Sequence, residues 1–526
     1  MSFFNPVFAF VFIPLVVIVY NIFPKKLRAV VLLAISLLFF AFVSKWLILY
    51  LILSILSIYL SGLGMNAIEE KKKETLKNIP KEEKKVVKES YKKKKKLVLV
   101  LCIIFNVAFL FMFKYFNFFA VNVNLLLDYF KIGRQITIVK HLAPIGISFY
   151  TLEALSYVLD IYYGKIEADK NIIRLALYVA FFPQLLEGPI ARYQDTANAL
   201  YEGNKVTYES FVLGYQRILF GFAKKLIIAD RLNIIVKEVF DDFNSYNGLT
   251  VFVGVMSYMI MLYMEFAGTI DIVIGIGEMF GVKIPENFRQ PFFAKNVSDF
   301  WTRWHISLGL WFKDYIFYPV SLSKSMKNLT SKAKKKLGNH YGPLVSGTVA
   351  LLAVWLLNGL WHGAGWHYIF FGLYHFFMIL MGNIFEPSVA KVCDRLKIDR
   401  HKKGYRIFQS VKMSVLVFIG ELFFRAPSLS VAFVMLGRMF NFGAFRAREF
   451  LTIDIDIQDT VVLIAGLIGI FIIGLIREKG IDIRDNISRK KLWVRWVIYY
   501  ALILLILIFG AYGQGYVPVD PIYADF

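Results

Sequence analysis

Charge is scarce in this chain of 526 residues: Asp, Glu, Lys and Arg make up 19% of it, against 58% apolar residues, where a soluble domain has about 45–50% apolar. A single soluble globule is therefore a poor description. Cysteine is scarcer still. Cys102 and Cys393 are the only two, far apart and in apolar or loop context, so neither a disulfide framework nor a cysteine-based zinc site can be assembled. There is no P-loop, no GxSxG nucleophile elbow, no HExxH and no GxGxxG between a strand and a helix. No internal repeat is visible, which weakens a transporter built from two related halves. The first residues, MSFFNPVFAF, lack the basic segment and small-residue cleavage site of a secretory signal and are expected to be a retained first span. Disorder is excluded by what is abundant, since 17% of the chain is aromatic and disordered chains are poor in such residues.

The net charge of +23 raises the question of nucleic acid, and its distribution answers it. Residues 71–96 hold 13 Lys against 4 Glu, which is +9 of the total. Such a block beside apolar runs fits a solvated cytoplasmic loop facing an anionic leaflet. Apolar runs occur at about 4–23, 29–44, 46–64 and 97–116, and again at about 343–361, 366–385, 411–425, 459–476 and 497–511. Each approaches the length that spans a hydrocarbon core as a helix. Placing the 71–96 loop inside also places Lys25, Lys26 and Arg28 inside. At the other end the basic segments 324–336, 391–413 and 477–495 fall together on the inside. Both termini are then extracytoplasmic, as is the turn between Trp361 and Trp366. The expected fold is all-α: one polytopic membrane domain over 1–526, in the cytoplasmic membrane, with about 10–12 spans. Between 117 and 320, Pro, Gly and ionisable residues interrupt the apolar stretches, so re-entrant and interfacial helices around a central funnel are expected there. Irregular backbone at membrane depth must be covered by protein or line a water-filled cavity.

Polar chemistry concentrates in two places. Five of the seven histidines lie between 305 and 375, and six of the nine tryptophans between 301 and 366. The first cluster is NVSDFWTRWHISLGLWFKDYIFYP at 296–319. Ser298 is the expected N-cap, Asp299 and Arg303 form an i,i+4 pair, and Trp301, Trp304, Leu308, Phe312 and Tyr315 recur at helical spacing, which predicts one amphipathic helix. On residues alone the tryptophans read as an interfacial belt with His305 bonded to a neighbour, or as a funnel wall. The second cluster is LLNGLWHGAGWHYIFFGLYHF at 356–376, where His362 stands among Gly359, Gly363 and Gly365. An imidazole held at a turn within the membrane is a functional candidate, because ionisable groups there are costly. His367 and His375 read as structural. No Cys or Glu completes a metal set with them, so no metal site is expected. Glu187, Arg192 and Asp271 are polar residues in apolar surroundings, read as cavity-building buried pairs, with Asp271 also a candidate substrate contact.

These residues carry a resemblance. FFPQLLEGPIARYQD at 181–195, YMEFAGTIDIVIGIGEMFGVKIPENFRQPFFAKNVSDFWTRWHISLGLWFKDYIFYP at 263–319, NGLWHGAGWHYIFFGLYH at 358–375 and FRAPSL at 424–429 resemble the membrane-bound O-acyltransferase family, most closely its branch of alginate and other envelope-polysaccharide O-acetyltransferases. The likeness covers about 140–430, an expected catalytic core. It implies that His362 is the essential histidine and His305 the second characteristic polar position; beside them Arg303, Trp304, Trp361 and Asp271 are the candidate substrate contacts, with the Asp299 pair a structural explanation of Arg303. It further implies an acyl thioester as co-substrate, acetyl-CoA or an acyl carrier protein, with no bound cofactor. The acceptor is a hydroxyl on an envelope polysaccharide or an extracytoplasmic partner protein. Thr269 stands where that branch commonly has an aromatic residue, which leaves the acceptor polymer open. Teichoic acid D-alanyl transfer, or a transporter or flippase using a histidine proton relay, are the alternatives.

Overall fold

The computed structural model describes residues 3–139, 143–441, 453, 455–512 and 516, so apart from Tyr516 the C-terminal tail expected outside the cell lies beyond the described residues. Every regular element among them is helical. Eight helical stretches are long and apolar enough to cross a membrane: Lys25–Lys77, Lys84–Tyr129, Gly248–Met279, Lys324–His362, Trp366–Arg395, Lys403–Arg425, Ile457–Glu478 and Leu492–Phe509. The first is broken by a 3-10 turn, Lys45–Leu47, which separates Lys25–Ser44 from Ile48–Lys77. A shorter apolar helix covers Phe8–Ile22.

The lysine-rich segment is not the loop its composition suggests. The helix that starts at Ile48 continues to Lys77, and the next begins at Lys84. Lys and Glu are good helix formers, and propagation from an apolar helix avoids the nucleation cost. The two arms are tied by a Thr75 Oγ1 to Tyr91 hydroxyl contact of 2.9 Å, and Lys72 reaches Glu69 at 2.6 Å.

The described residues fall into two compact units, one built from residues up to 215 with 273–285, the other from 216–272 with residues from 286 onward. In the first unit the Ile147–Tyr163 helix presents Tyr150, Ala154, Tyr157, Val158 and Ile161 to Leu51, Ile55, Ile58 and Leu99. Its N-terminus approaches the backbone so closely that a Cβ on Gly146, at φ 71°, would lie 1.6 Å from the Leu185 carbonyl oxygen, so only glycine fits. Between the two long helices, Ser54 donates to Asn106 Oδ1 at 2.6 Å, and Asn106 Nδ2 donates to Ser57 Oγ and to the Cys102 carbonyl, both at 2.9 Å. Polar groups of this kind join helices where lipid supplies no hydrophobic drive.

In the second unit the Lys324–His362 stretch breaks at Gly338, at φ 77°, and its first arm folds back so that Thr330 Oγ1 meets Ser346 Oγ at 2.5 Å; the arm from 339 to 362 forms an antiparallel hairpin with Trp366–Arg395, turning at 363–365. Their far ends meet where His340 Nε2 lies 3.1 Å from the Asn383 carbonyl oxygen. The Lys403–Arg425 helix starts at that same far end, and its last turn brings Phe424 to within 5.1 Å of the His362 ring. Lys332, Lys334, Lys335 and Lys336, beside the Gly338 break, and the basic residues at 391–406 thus lie toward the end opposite the His362 turn.

Replacing Asn106 by Leu should lower the thermal unfolding midpoint of the purified protein, by a loss of about 0.6–2 kcal/mol. An unchanged midpoint would show that the Ser54–Asn106–Ser57 bonds do not hold the helix pair.

Candidate functional site

The segment 296–319 does not run as one helix. Asn296, not Ser298, caps its start by accepting from the Asp299 N–H at 2.8 Å, and the first helix stops after Val297–Trp301. His305 then adopts φ 45° and ψ 52°, and a second helix begins at Ile306. A left-handed β-carbon residue costs about 1–3 kcal/mol and persists only where its surroundings enforce it. Asn287, fully buried, does so. Its backbone carbonyl accepts from the Ile306 N–H at 3.0 Å, and its Oδ1 accepts from the Ser307 N–H at 3.0 Å and from the Ser307 hydroxyl at 2.9 Å. A residue distant in sequence thereby caps the helix and fixes the histidine that precedes it. Nothing in local pattern marks Asn287 for this role.

His305 and His362 are buried, at 3% and 5% exposure. Trp361 packs against both, with ring centroids 5.7 Å from His305 and 4.9 Å from His362. Phe266 closes on His305 at 4.9 Å, while Phe371 and Phe424 flank His362 at 5.7 and 5.1 Å. Burial pushes the His305 imidazole down to about 3, so it is neutral across the physiological range. The glycines around His362 serve the chain's own packing. A Cβ on Gly363 would lie 2.0 Å from the Tyr368 ring, and one on Gly359 would lie 2.4 Å from the Tyr368 carbonyl oxygen.

The other candidates are distributed around this pair. Trp304 is buried among Phe288, Phe300 and Tyr263 at 5.0, 5.5 and 5.9 Å, so it is part of an interior aromatic wall and not an interfacial belt. Arg303 makes the expected pair with Asp299 at 3.0 Å and adds Glu478 at 3.0 Å. Burial disfavours its charge, but the hydrogen bonds to Glu478 and Asp299 outweigh it and hold the guanidinium above its ordinary value. Asp271 is buried and accepts from Arg217 Nε and Lys224 Nζ, both at 2.6 Å, while Arg217 also holds Glu286 through two bonds of 2.8 and 2.7 Å. Sequence reasoning missed Arg217 and Lys224, although three cations, Arg217, Lys224 and Lys225, in the apolar stretch FVLGYQRILFGFAKKLIIAD were a usable signal. His375 is fully buried, accepts from Trp301 Nε1 at 3.3 Å and stacks on Trp355. The described residues contain no group of three or more His, Cys, Asp or Glu able to hold a metal ion.

Two outcomes follow. Asn287→Ala removes the cap on the Ile306 helix, which should cost about 0.5–2 kcal/mol in thermal unfolding and release the backbone at His305. A midpoint equal to wild type would show that the cap is dispensable. His305 also sets a sign for pH. Its folded value lies below the ordinary 6.5, so its stabilising contribution is complete above about 6.5 and is lost as pH falls toward 3, because the unfolded chain takes the proton first. The unfolding midpoint should therefore drop from pH 7 to pH 5, and less steeply in His305→Gln. Parallel slopes would contradict the burial argument.

Residues 95–334 match the model of the membrane-bound O-acyltransferase family. The chain is 34% identical over 352 residues to the probable alginate O-acetylase AlgI of Pseudomonas syringae pv. tomato, covering 67% of this chain and 62% of that protein. It is 29% identical over 369 residues to the peptidoglycan O-acetyltransferase of Helicobacter pylori, covering 65% and 64%, and 30% identical over 244 residues to the teichoic acid D-alanyltransferase of Bacillus subtilis, covering 46% and 59%. The chain thus spans a little under two thirds of the length of these relatives. On these likenesses this chain belongs to the membrane-bound O-acyltransferase family.

Proposed function

We propose that the protein is an O-acyltransferase of the cytoplasmic membrane that moves an acyl group, acetyl in the first instance, from an acyl thioester on the cytosolic side to a hydroxyl of an extracytoplasmic envelope polysaccharide or of a partner enzyme. The observation that carries the proposal is the pair His305 and His362, both buried and both packed against Trp361 inside a bundle of apolar helices. An imidazole is suited to take a proton near neutral pH. The position of the 332–336 and 391–406 basic residues toward the end opposite the His362 turn supports an inward basic end and an outward histidine end.

His362 accepts the proton of the acceptor hydroxyl as its oxygen attacks the thioester carbonyl. The C–S bond breaks as the ester C–O bond forms, and the proton passes from His362 to the departing thiolate, so an ester and a thiol leave and the histidine is regenerated. His305, neutral and fixed by Asn287, orients a reactant or stabilises charge on the carbonyl oxygen. The aromatic wall of Trp304, Trp361, Phe266, Phe371 and Phe424 excludes water, which would otherwise hydrolyse the thioester. Arg303 and Asp271 act through their ion pairs, holding the wall where the thioester enters. D-alanyl transfer is the second reading, on the likeness to the teichoic acid enzyme; the same histidine chemistry serves it with a different acyl group.

His362→Ala, expressed in the membrane at the wild-type level, should lower acyl transfer by about 10²–10⁴-fold, read as ester-linked acyl groups on envelope polymers of wild-type, deletion and variant strains. Equal ester content in all three would sink the transferase assignment, while substrate accumulation without thioester consumption would point to a transporter.

A further inference from the structure

Asn287 uses only half of its side-chain amide in the cap that it forms. The segment 287–289 runs beside 303–306, with the Ile306 N–H donating to the Asn287 carbonyl at 3.0 Å and the Arg289 N–H to the Arg303 carbonyl at 2.9 Å, so His305 lies between two backbone ties. The amide can stand only one way round. The Ser307 N–H donates and never accepts, so the Asn287 atom that meets it at 3.0 Å must be the oxygen. Nδ2 is then left with its donors buried and with no acceptor among the described residues, in a residue that no bulk water reaches. Buried donors in folded proteins are nearly always paired. Capping does not explain this one, because Asp or Ser caps a helix as well as Asn does and brings no spare N–H.

The chemistry of transfer names the missing acceptor. An amide N–H donates only, so it answers an atom that accepts only. The attacking hydroxyl must lose a proton and the departing thiolate must gain one, whereas the thioester carbonyl oxygen accepts at every stage. Its charge grows as the new bond forms, which is where a fixed, buried donor has most effect. The surroundings fit that role: the adjacent Phe288 packs on Trp304 at 5.0 Å and on Phe266 at 5.1 Å, and Phe266 packs on His305 at 4.9 Å, so Asn287 adjoins the wall that holds the histidine. We infer that Asn287 is a catalytic residue whose Nδ2 donates to the carbonyl oxygen of the thioester. As the hydroxyl oxygen adds to the carbonyl carbon, the C=O π pair moves onto the carbonyl oxygen, which Nδ2–H holds. When that pair returns, the C–S bond breaks, and Asn287 keeps its protons throughout. Orientation of a reactant is then the task of His305. The inference rests on the acyl-transfer reading and adds to it the group that bears the transition-state charge.

The test uses the full chain in lipid nanodiscs. Asn287→Ala removes cap and donor together, whereas Asn287→Asp keeps an oxygen for Ser307 and puts a second oxygen where Nδ2 stood. At about pH 8, with the two Ser307 donors favouring the carboxylate, Asn287→Asp should unfold closer to wild type than Asn287→Ala, yet lose about 10²–10³-fold in kcat. Transfer by Asn287→Asp at the wild-type rate would reduce Asn287 to a cap and overturn the proposal. A dithioester analogue of acetyl-CoA carries a C=S sulfur, a weak acceptor. The wild-type preference for C=O over C=S should shrink by about tenfold or more in Asn287→Ala, a change that a damaged fold alone does not produce; an unchanged preference also overturns the proposal. Infrared difference spectra read the bond without turnover. Carbonyl-labelled acetyl-CoA, or an acetylated carrier protein, bound in the absence of acceptor should show its C=O stretch below that of the free donor, and Asn287→Asp should return it toward the free value. An equal shift in both proteins would mean that a trapped water or another group answers the carbonyl, and the proposal fails. A shifted band that depends on Asn287, without transfer to any acceptor, keeps the donor atom and discards the chemistry, while transfer with an unshifted band does the reverse.

Discussion

A charge moved from water into a membrane-embedded protein interior costs several kcal/mol unless it meets a partner and hydrogen bonds, and the second unit is organised around meeting that demand. Arg217, Lys224, Asp271 and Glu286 are drawn from separate parts of the sequence and meet through contacts of 2.6–2.8 Å. Removing one member leaves another stranded, a loss of about 3–5 kcal/mol for a buried pair. The network therefore fixes the Gly248–Met279 helix, 89% of whose apolar window is buried, and with it Phe266 and Tyr263. Phe266 packs on His305, and Tyr263 packs on its neighbour Trp304. Polar satisfaction at one place thus sets aromatic geometry at another.

The aromatic wall has a second origin, in backbone strain. His305 sits in a conformation that side-chain-bearing residues avoid, and it is held there because Asn287 occupies the N-terminus of the next helix with three hydrogen bonds. The break turns what would be an amphipathic interfacial helix inward, so that Trp304 and His305 face the interior. A continuous helix from 297 to 321 would leave them on a stripe shared with Leu308 and Phe312 and separate His305 from Trp361. The strain and the site are the same feature.

What was legible beforehand divides along the range of the interactions concerned. Span positions, the concentration of basic residues at one end of the hairpin and the two histidine clusters depend on composition and short-range pattern, and these appear in the sequence directly. The Asp299–Arg303 pair, four residues apart on a helix, was likewise visible. The helical lysine arms were missed because a block of like charge signals solvation and says little about backbone when it adjoins an apolar helix. The break at 302–305 was missed because Asn287 causes it from outside the segment. The 478 side of the Arg303 pair, and the Arg217–Asp271 and Lys224–Asp271 bonds, join residues 47 to 175 apart in sequence, and only the packed chain brings them together.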